Sequence, residues 1–464
     1  MAYTSMRNIF IISLLSLLLI CCNNDWLMDN SCHVVPNNLM DYSSSVSEQE
    51  ALAAVSLFLE SSDICANKND SKRRVKNIYS TASLATKSSQ DLLPLCYIIN
   101  FEDSLGFAIA AADHRLPPVL CVIERGNLDV DNFNISINPG MAAMLSRIDT
   151  QCRMLLGLPI NDSEGNTFTS SYYRQFINLG NGINFDPDSC NVYWSLSQTY
   201  SPVGTQVGCT WDQGDPFNKM CPLDSGVRSD VGCTPVAVGQ IMFYHKKNTT
   251  YNGTFYNWNL MKYITSTSTD TTSYPYNVAW AKVQNLLVDL GDDYNLDAEY
   301  SSHGTLASDF FAPRTFEHFG YQSGGINTSL SSSSYNTIAS DIASGYPVLS
   351  IGYRVRERIY SSGVQVDSTM SGHTWVIDQT MRTLWRMWVV HKRTNELVYG
   401  TYVYKDMVHC NWGWDGDYNG FFLWNVFDLY DSNAIMDTKS TRDTINVSGC
   451  FYKHNIRIVT GIRP

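Results

Sequence analysis

The sequence predicts an α+β protein in two parts, because its hydrophobic pattern changes character near residue 160. Ser47 and Glu50 have the spacing of a capping box ahead of a helical apolar stripe, and alternating apolar runs follow between residues 95 and 130. From about residue 195 onwards, strand-like runs dominate. We therefore expect a compact α+β unit first, and then a larger domain rich in β-strands.

Individual elements can be placed within both parts. In the first part, strands of a small antiparallel sheet are predicted at Cys96–Ile99, Phe107–Ala110 and Val119–Ile123, and a helix is predicted from Met141 to Leu156 after Pro139-Gly140. Residues 160–195 are rich in Asn, Asp, Ser and Gly and predict a linker. In the larger part, helices are expected after Gly232, around Val278–Leu290 and around Leu306–Phe319.

Length, composition and charge narrow the class of protein. The 464 residues suit two or three domains, and a hydrophobic share of 44% can build a real core. The 32 basic residues against 44 acidic ones give a net charge of −12. The longest basic run is Lys72-Arg73-Arg74, which is too short for the basic face of a nucleic-acid-binding protein. Nucleic acid is therefore not an expected partner.

The N-terminus indicates export. Arg7 is followed by an apolar run from Ile9 to Ile20, which is too short to span a bilayer and is typical of a secretory signal. Leu19 stands three positions before Cys22, as in a bacterial lipoprotein signal, so Cys22 is a candidate lipid anchor. We expect an extracellular protein, or one anchored to the bacterial outer surface or in the periplasm, that meets a membrane only through Cys22.

The 13 cysteines show no zinc-site spacing. Setting aside Cys21, Cys22 and the candidate nucleophile Cys233 leaves ten, enough for up to five disulfides, although the spacings show no disulfide framework and most could be free. Because no C-x-x-C pair occurs, a structural zinc site is not expected. We predict no metal and no cofactor.

Cys233 is the candidate nucleophile. Gly232 favours a sharp turn, and Pro235 is well tolerated only in a first helical turn, so a helix is predicted to begin at or beside Cys233. Unpaired N–H groups at a helix start stabilise a thiolate and lower the pKa of a cysteine. For this segment alone, a buried and inert small side chain remains the alternative.

His373 is the candidate base. A thiolate peptidase needs an imidazole to carry the proton, and His373 lies 140 positions after Cys233, an interval that cysteine peptidases use. It follows Gly372 at the head of an alternating strand that we expect to end at Asp378. Taken alone, a histidine in this position is more often structural, and the pairing with Cys233 is what favours a catalytic role.

Two further segments supply polar groups. Asn411 could hold the imidazole in the correct tautomer while the Trp412 indole shields that hydrogen bond from water. The alternative is a tryptophan-rich turn that packs the core. Upstream of Cys233, the side-chain amide of Gln213 could reach the oxyanion that forms during acyl transfer.

Together, these segments resemble the streptopain family of papain-fold cysteine peptidases. The order is W-x-Q, G-C at a helix start followed by Q-I-M-x-Y-H, then G-H-x-W-V-I-D, and finally N-W-G-W. Further matching stretches lie in the second half, and others in the first half resemble the family's propeptide; they are 214–218, 302–307 and 319–321, and 100–102, 106–113 and 116–120. The likeness covers roughly residues 45–430.

The resemblance implies a papain-like catalytic domain, in which the helix bearing the nucleophile packs on a twisted antiparallel β-sheet, preceded by a small α+β propeptide domain. The implied division is a signal peptide at 1–22, a tether at 23–45, an inhibitory propeptide at 46–165, a linker with the maturation cleavage at 166–194, and the peptidase at 195–464. The implied partners are protein or peptide substrates and the chain's own propeptide as an intramolecular inhibitor. The implied site residues are Cys233 as nucleophile, His373 as base, Gln213 in the oxyanion hole, and Asn411 and Trp412 beside the histidine.

The sequence departs from the family pattern at several positions. Thr234 and Pro235 replace a Val-Ala pair, and Gln379 stands where Gly is usual. Residues 380–408 predict a strand pair with a turn at Thr394-Asn395. Two other functions remain compatible with these residues. One is a transglutaminase or amidase that acts through the same Cys-His pair. The other is an inactive surface binding protein that kept the fold.

Overall fold

The computed structural model describes residues 45–62, 73–81, 94–129, 139–156, 158–161, 167–169, 189–302, 304–331, 333–353, 359–361, 364–367, 372–424 and 456–464. The predicted signal peptide with Cys21 and Cys22, most of the tether and most of the predicted linker lie outside these residues. Within them, no helix combines the length and the apolar character needed to cross a membrane. Among the cysteines in these ranges, the free thiols include Cys96, Cys121, Cys152, Cys209, Cys221, Cys233 and Cys410.

The helices and strands follow the chain in mixed order. The α-helices are α1 (Glu48–Ser61), α2 (Pro139–Leu156), α3 (Cys233–His245), α4 (Trp258–Met261), α5 (Tyr276–Leu290), α6 (Ala312–His318) and α7 (Ser334–Ala343). The strands up to residue 256 are β1 (Val75–Thr81), β2 (Cys96–Phe101), β3 (Phe107–Ala111), β4 (Val119–Ile123), β5 (Pro159–Asn161), β6 (Thr167–Thr169), β7 (Cys190–Thr199), β8 (Val203–Gly204), β9 (Leu223–Asp224), β10 (Val227–Arg228), β11 (Thr249–Tyr251) and β12 (Thr254–Tyr256). The later strands are β13 (Ser323–Ser329), β14 (Val348–Tyr353), β15 (Ile359–Ser361), β16 (Val364–Asp367), β17 (Gly372–His391), β18 (Leu397–Asn411), β19 (Gly420–Leu423) and β20 (Arg457–Arg463).

One sheet of twelve strands runs through both parts of the chain. Its order is β1-β2-β3-β4-β19-β18-β17-β14-β20-β13, with β7 and β8 also paired to β17. Its strand pairs are antiparallel. The two parts of the chain meet where β4 pairs with β19, with Val122 opposite Phe421. The strands predicted near the N-terminus are therefore the outer portion of a continuous sheet, not a separate small one.

The first helix begins at the predicted capping box. The Ser47 hydroxyl accepts a hydrogen bond from the Glu50 N–H, and the Glu50 carboxylate accepts one from the Ser47 N–H. Helix α1 buries Val55 and Phe58 in a core that it shares with β2–β4 and α2. That core continues into the second part of the chain through Trp412 and neighbouring residues.

Helix α3 lies in a second core on the other side of the sheet. Its residues from Thr234 to Phe243 are buried, and it packs against α5, β14 and β17. The two cores meet across β17, where successive side chains point to opposite faces: Trp375 and Ile377 belong to the first core and Val376 to the second. The predicted fold class, an α+β protein with the cysteine-bearing helix on an antiparallel sheet, is confirmed.

Two predictions about individual strands were wrong. The strand that begins at Gly372 does not end at Asp378 but continues to His391, because a register shift between Ile377 and Gln379 absorbs Asp378 and the pairing resumes. Residues 190–194, assigned to the linker, form the first half of β7, which pairs with the far half of β17. The predicted hairpin across 380–408 is present as β17 and β18. The helix expected around 306–319 is shorter, since only 312–318 are α-helical.

Candidate functional site

Cys233 is the first residue of helix α3, as predicted. Gly232 before it has a φ of 93°, a conformation that favours glycine, and a Cβ there would come within 3.3 Å of three atoms of Thr305. Pro235 falls in the first helical turn, where its missing N–H has no intrahelical partner to lose. The thiol is therefore fixed at the point where the chain turns sharply into the helix.

Polar groups surround the Cys233 thiol. Burial raises its pKa, while the N–H of Thr374 and the hydroxyls of Thr234 and Thr374 act against that rise. The two hydroxyl oxygens are 2.9 Å apart, and both threonines are buried. The helix start was expected to lower the pKa of Cys233, but in this form burial outweighs the favourable donors.

His373 is the second residue of β17, and its imidazole lies in an aromatic enclosure. The centroids of the Trp375, Trp412 and Trp414 rings are 6.1 to 6.4 Å from the imidazole centroid. The Nε2–H donates to the carbonyl oxygen of Trp412 over 2.9 Å. The side chain is 2% exposed, and this burial lowers the pKa of His373 to about 4 despite the hydrogen bond to Trp412. The imidazole is therefore neutral at pH 7.

The thiol and the imidazole lie on segments that touch each other, but the two groups are not paired. Thr374, whose N–H and hydroxyl face Cys233, is the residue after His373. In the described part of the chain, however, the His373 ring is bonded to Trp412, and no hydrogen bond joins it to the Cys233 thiol. The two groups are thus present in neutral forms, without the ion pair that a cysteine peptidase uses.

Helix α2 from the first part of the chain lies on this imidazole. A Cβ added at Gly140, in the first turn of α2, would come 2.8 Å from Cδ2 of His373 and 2.7 Å from the Trp412 ring. Only a residue without a side chain allows this approach.

Gln213 lies beside the segment that leads into Cys233. Its carbonyl oxygen accepts a hydrogen bond from the N–H of Val231 over 2.9 Å, and its side chain is half-buried. The preceding residue pair, Trp211 and Asp212, is fixed locally: Trp211 is fully buried, and the Asp212 carboxylate accepts from the N–H of Gly214. The amide of Gln213 is thus carried on a well-anchored segment that is bonded to the residues leading into Cys233.

Asn411 and Trp412 have different surroundings from those expected. The Asn411 side chain donates to the carbonyl oxygen of Cys209 over 2.9 Å and accepts from Gln240 and from the N–H of Gly413. It therefore ties β18 to helix α3 and makes no bond to His373 here. The Trp412 backbone, not the Asn411 amide, holds the imidazole, while the Trp412 ring lies against it.

Several residues of the site were not singled out from the sequence. Trp375 and Trp414 complete the aromatic enclosure, Thr374 faces the thiol, and Gly140 contacts the imidazole. The tryptophans stand within motifs quoted for the resemblance, so their repetition around the histidine was a usable signal. The position of Gly140 depends on packing between the two parts of the chain, for which the sequence carries no local signal.

Two protein families match separate stretches of the chain. Residues 211–422 match the peptidase C10 family, and residues 43–152 match the Spi protease inhibitor family. A curated relative, the thiol protease/hemagglutinin PrtT of Porphyromonas gingivalis, is 24% identical over 392 residues that cover 77% of this chain. This chain spans 37% of the length of that relative.

Two solved structures from Prevotella intermedia are also similar to this chain. A prointerpain A fragment is 17% identical, with a TM-score of 0.47, over 84% of this chain and 99% of that one. Active interpain A cysteine protease is 20% identical, with a TM-score of 0.31, over 48% of this chain and 85% of that one. The family matches cover the Cys233–Trp412 region and the segment from α1 through most of α2. Residues 211–422 are therefore similar to the peptidase C10 family, the streptopain family of cysteine peptidases, and a segment similar to the Spi protease inhibitor family lies ahead of them.

Proposed function

We propose that this chain is the zymogen of a cysteine endopeptidase, with Cys233 as nucleophile and His373 as general base and acid. The observation that carries the proposal is the position of Thr374. Its N–H and hydroxyl face the Cys233 thiol, so the backbone next to His373 is in contact with the nucleophile, and His373 would have to leave Trp412 to pair with the sulfur. The match of residues 211–422 to the peptidase C10 family supports the same assignment.

In the proposed reaction, the thiol first transfers its proton to His373, and the thiolate attacks the carbonyl carbon of a substrate peptide bond. The side-chain amide of Gln213 and the Cys233 N–H donate to the oxyanion of the tetrahedral intermediate. The imidazolium then protonates the leaving amine, and a thioester remains on Cys233. His373 next takes a proton from water, which attacks the thioester, and the departing thiolate restores the enzyme.

The first part of the chain would act as the inhibitor. With Gly140 against the imidazole, α2 occupies the space that a substrate needs and holds His373 in a neutral form bonded to Trp412. Cleavage in the predicted linker, ahead of strand β7 at Cys190, would allow α2 to leave. Burial of the site would then fall, and the donors around Cys233 would favour the thiolate.

The same proposal includes export and anchoring. The apolar run before Cys21-Cys22 supports secretion, and Cys22 is the candidate for lipid attachment. Mass spectrometry of the N-terminal peptide from the native host tests this. We expect a chain that begins at Cys22 and carries acyl groups, and a chain that begins elsewhere would overturn the anchoring.

The enzymatic proposal is tested with Cys233→Ala in the full chain. We expect this variant to lose casein hydrolysis and self-processing, because no other group in the proposed mechanism can form the thioester. Cys221→Ala is the matched control, since Cys221 is another free and buried thiol of the same region. It should keep both activities.

Alkylation separates a reactive thiol from an inert one. In processed protein, iodoacetamide below neutral pH should label Cys233 rapidly and Cys221 slowly, since burial raises the pKa of Cys221 to about 12. Full hydrolysis by Cys233→Ala, or incorporation of amines without peptide cleavage by the native chain, would overturn the proposal.

A further inference from the structure

A second buried histidine, His409, lies where the two parts of the chain are joined by the sheet. It stands on β18 opposite Phe421 of β19, and β19 in turn pairs with β4 of the inhibitor-like part. The ladder continues one residue past β4, because the Glu124 N–H donates to the carbonyl oxygen of Asn419 over 2.9 Å. Glu124 is thus held by its backbone at the end of the strand, with its side chain at His409.

The imidazole of His409 lies between two carboxylates from different parts of the chain. Its Nδ1 is 2.6 Å from Oδ1 of Asp378, and its Nε2 is 3.4 Å from Oε1 of Glu124. His409 is 2% exposed, and Asp378 is fixed by a second bond, from the Val207 N–H to its Oδ2. A protonated imidazole donates from both nitrogens and can therefore satisfy both carboxylates at once.

The charged groups around this cluster favour that protonated form. Burial alone would lower the pKa of His409, but Asp378 and Glu124 hold it at about 10. Burial alone would raise the pKa of Glu124, but His409 and Arg73 outweigh it and hold that pKa below its ordinary value, with help from a Gln206 hydrogen bond. Arg73, which precedes β1, also donates to the carbonyl oxygen of Ile123 in β4, next to Glu124.

The neighbouring ion pair provides an internal comparison. Arg125 lies 3.3 Å from Asp417 and 3.8 Å from Asp415, but its side chain is 56% exposed. Exposed ion pairs of this kind contribute little to stability, whereas removing one partner of a buried ion pair is strongly destabilising. Two adjacent charged residues, Glu124 and Arg125, follow β4. Removing the charge of Glu124 should therefore weaken the contact between the two parts of the chain more than removing the charge of Arg125.

We propose that His409, oriented by Asp378, is a carboxylate-binding site of the peptidase region, and that it recognises the inhibitor part as an extended strand ending in Glu124. The occupant is the segment Val119–Glu124 of this same chain. Backbone pairing with β19 supplies contacts that any extended segment could make. The carboxylate at the end of the strand supplies the selectivity, since only an acidic residue at that register meets the imidazolium. The inference goes beyond the catalytic proposal and rests on it only for the inhibitory role of the first part.

The strength of the contact between Glu124 and His409 should depend on pH. Because the pKa of Glu124 is lowered, its carboxylate stabilises the contact between the two parts above about pH 4.5. This stabilisation is lost as the pH falls through the pKa that Glu124 has in the folded chain. The raised pKa of His409 means that its contribution is fully present below about pH 6.5 and is lost as the pH rises towards 10. The interaction should therefore be strongest between about pH 4.5 and 6.5.

The test uses the full chain carrying Cys233→Ala, which keeps the two parts joined. In histidine-labelled protein, NMR should show one of the nine imidazoles still protonated above pH 8, and Glu124→Gln should lower its midpoint by about one pH unit or more. At pH 6, amide hydrogen exchange across β4 and β19 should become about tenfold faster in Glu124→Gln, because local opening of that pairing becomes easier. Glu124→Asp, which keeps the charge but shortens its reach, should give an intermediate effect.

Arg125→Gln and Glu102→Gln are the matched controls, since each removes an exposed charge from the same part of the chain. Both should leave the histidine midpoint and the exchange rates near their starting values. The inference is overturned if no imidazole stays protonated above pH 8, if Glu124→Gln leaves the midpoint unchanged, or if either control speeds exchange as much as Glu124→Gln does. None of these readouts uses proteolysis, so they are independent of the outcome for Cys233.

Discussion

The hydroxyl oxygens of Thr234 and Thr374 lie 2.9 Å apart, which links the residue after Cys233 to the residue after His373. Thr234 was noted in the sequence as a departure from the family pattern, and the structure gives it a partner. Burial raises the pKa of the Cys233 thiol, and both hydroxyls act against that rise. The departure therefore does not weaken the site but adds a donor beside the sulfur.

Replacing Thr234 tests this donor. Thr234→Val in the processed enzyme should raise the pH midpoint of Cys233 alkylation by about one unit, since a hydrogen bond to a charged group contributes about 1.5–3 kcal/mol. Thr234→Ser keeps the hydroxyl and should retain the original midpoint. An unchanged midpoint in the valine variant would mean that the hydroxyl only packs the site.

Gly140 sets how closely α2 approaches the imidazole. Gly140→Ala would place a methyl group 2.7 to 2.8 Å from Trp412 and His373, so the helix must move away. Overpacking of this kind costs about 1–3 kcal/mol, and we expect self-processing of the full chain to become about tenfold faster. Gln151→Ala changes the partly exposed side of the same helix and should process at the normal rate. Equal rates for the two variants would contradict the inhibitory contact.

Local sequence signals were sufficient for the elements that carry the site. The capping box at Ser47 and Glu50 and the Gly-Cys-x-Pro start of α3 both depend on neighbouring residues, and both predictions are confirmed. The end of the strand at Asp378 was placed wrongly, because a buried carboxylate inside a strand requires partners that lie far away in the chain. Those partners are Val207 and His409.

The positions that depend on the joining of the two parts were not predictable in this way. Nothing near Gly140 indicates that it meets a histidine more than two hundred positions later, and nothing near Glu124 indicates His409. The motif containing Asn411 was recognised, but its side chain bonds Cys209 and Gln240, which again are distant in sequence. Sequence patterns thus located the chemistry, while the contacts that restrain it arise from the fold.

The covered form should become less stable in mild acid. Burial lowers the pKa of His373 to about 4, so between about pH 6.5 and 4 the uncovered histidine binds a proton that the covered one does not. In the full chain with Cys233→Ala, amide exchange in α2 should therefore become more than tenfold faster from pH 7 to pH 5, after correction for intrinsic rates.

Adding His373→Gln to the Cys233→Ala chain should remove most of the pH dependence of amide exchange in α2. His245→Gln is the control, because burial also lowers the pKa of His245 to about 4 but its ring lies against Tyr321, away from α2. It should leave the response of α2 intact. A flat exchange profile in the parent chain would show that protonation of His373 does not oppose the cover.

Asn411 should affect stability as well as activity. Its amide satisfies Gln240, the Gly413 N–H and the carbonyl oxygen of Cys209, and the residue is buried. Asn411→Ala would leave these groups without a partner, and we expect the free energy of unfolding to fall by about 2 kcal/mol or more in urea titrations of the Cys233→Ala chain.

Asn336→Ala, on the exposed side of α7, should change that free energy by less than about 0.5 kcal/mol. The comparison also separates two roles for Asn411. If Asn411→Ala abolishes hydrolysis while the unfolding free energy stays unchanged, its amide must turn to His373 once α2 has left, as the resemblance implies. If stability falls as expected and the remaining folded enzyme still hydrolyses peptides, the Trp412 carbonyl and ring are sufficient to position the imidazole, because the amide is then committed to joining β18 with helix α3.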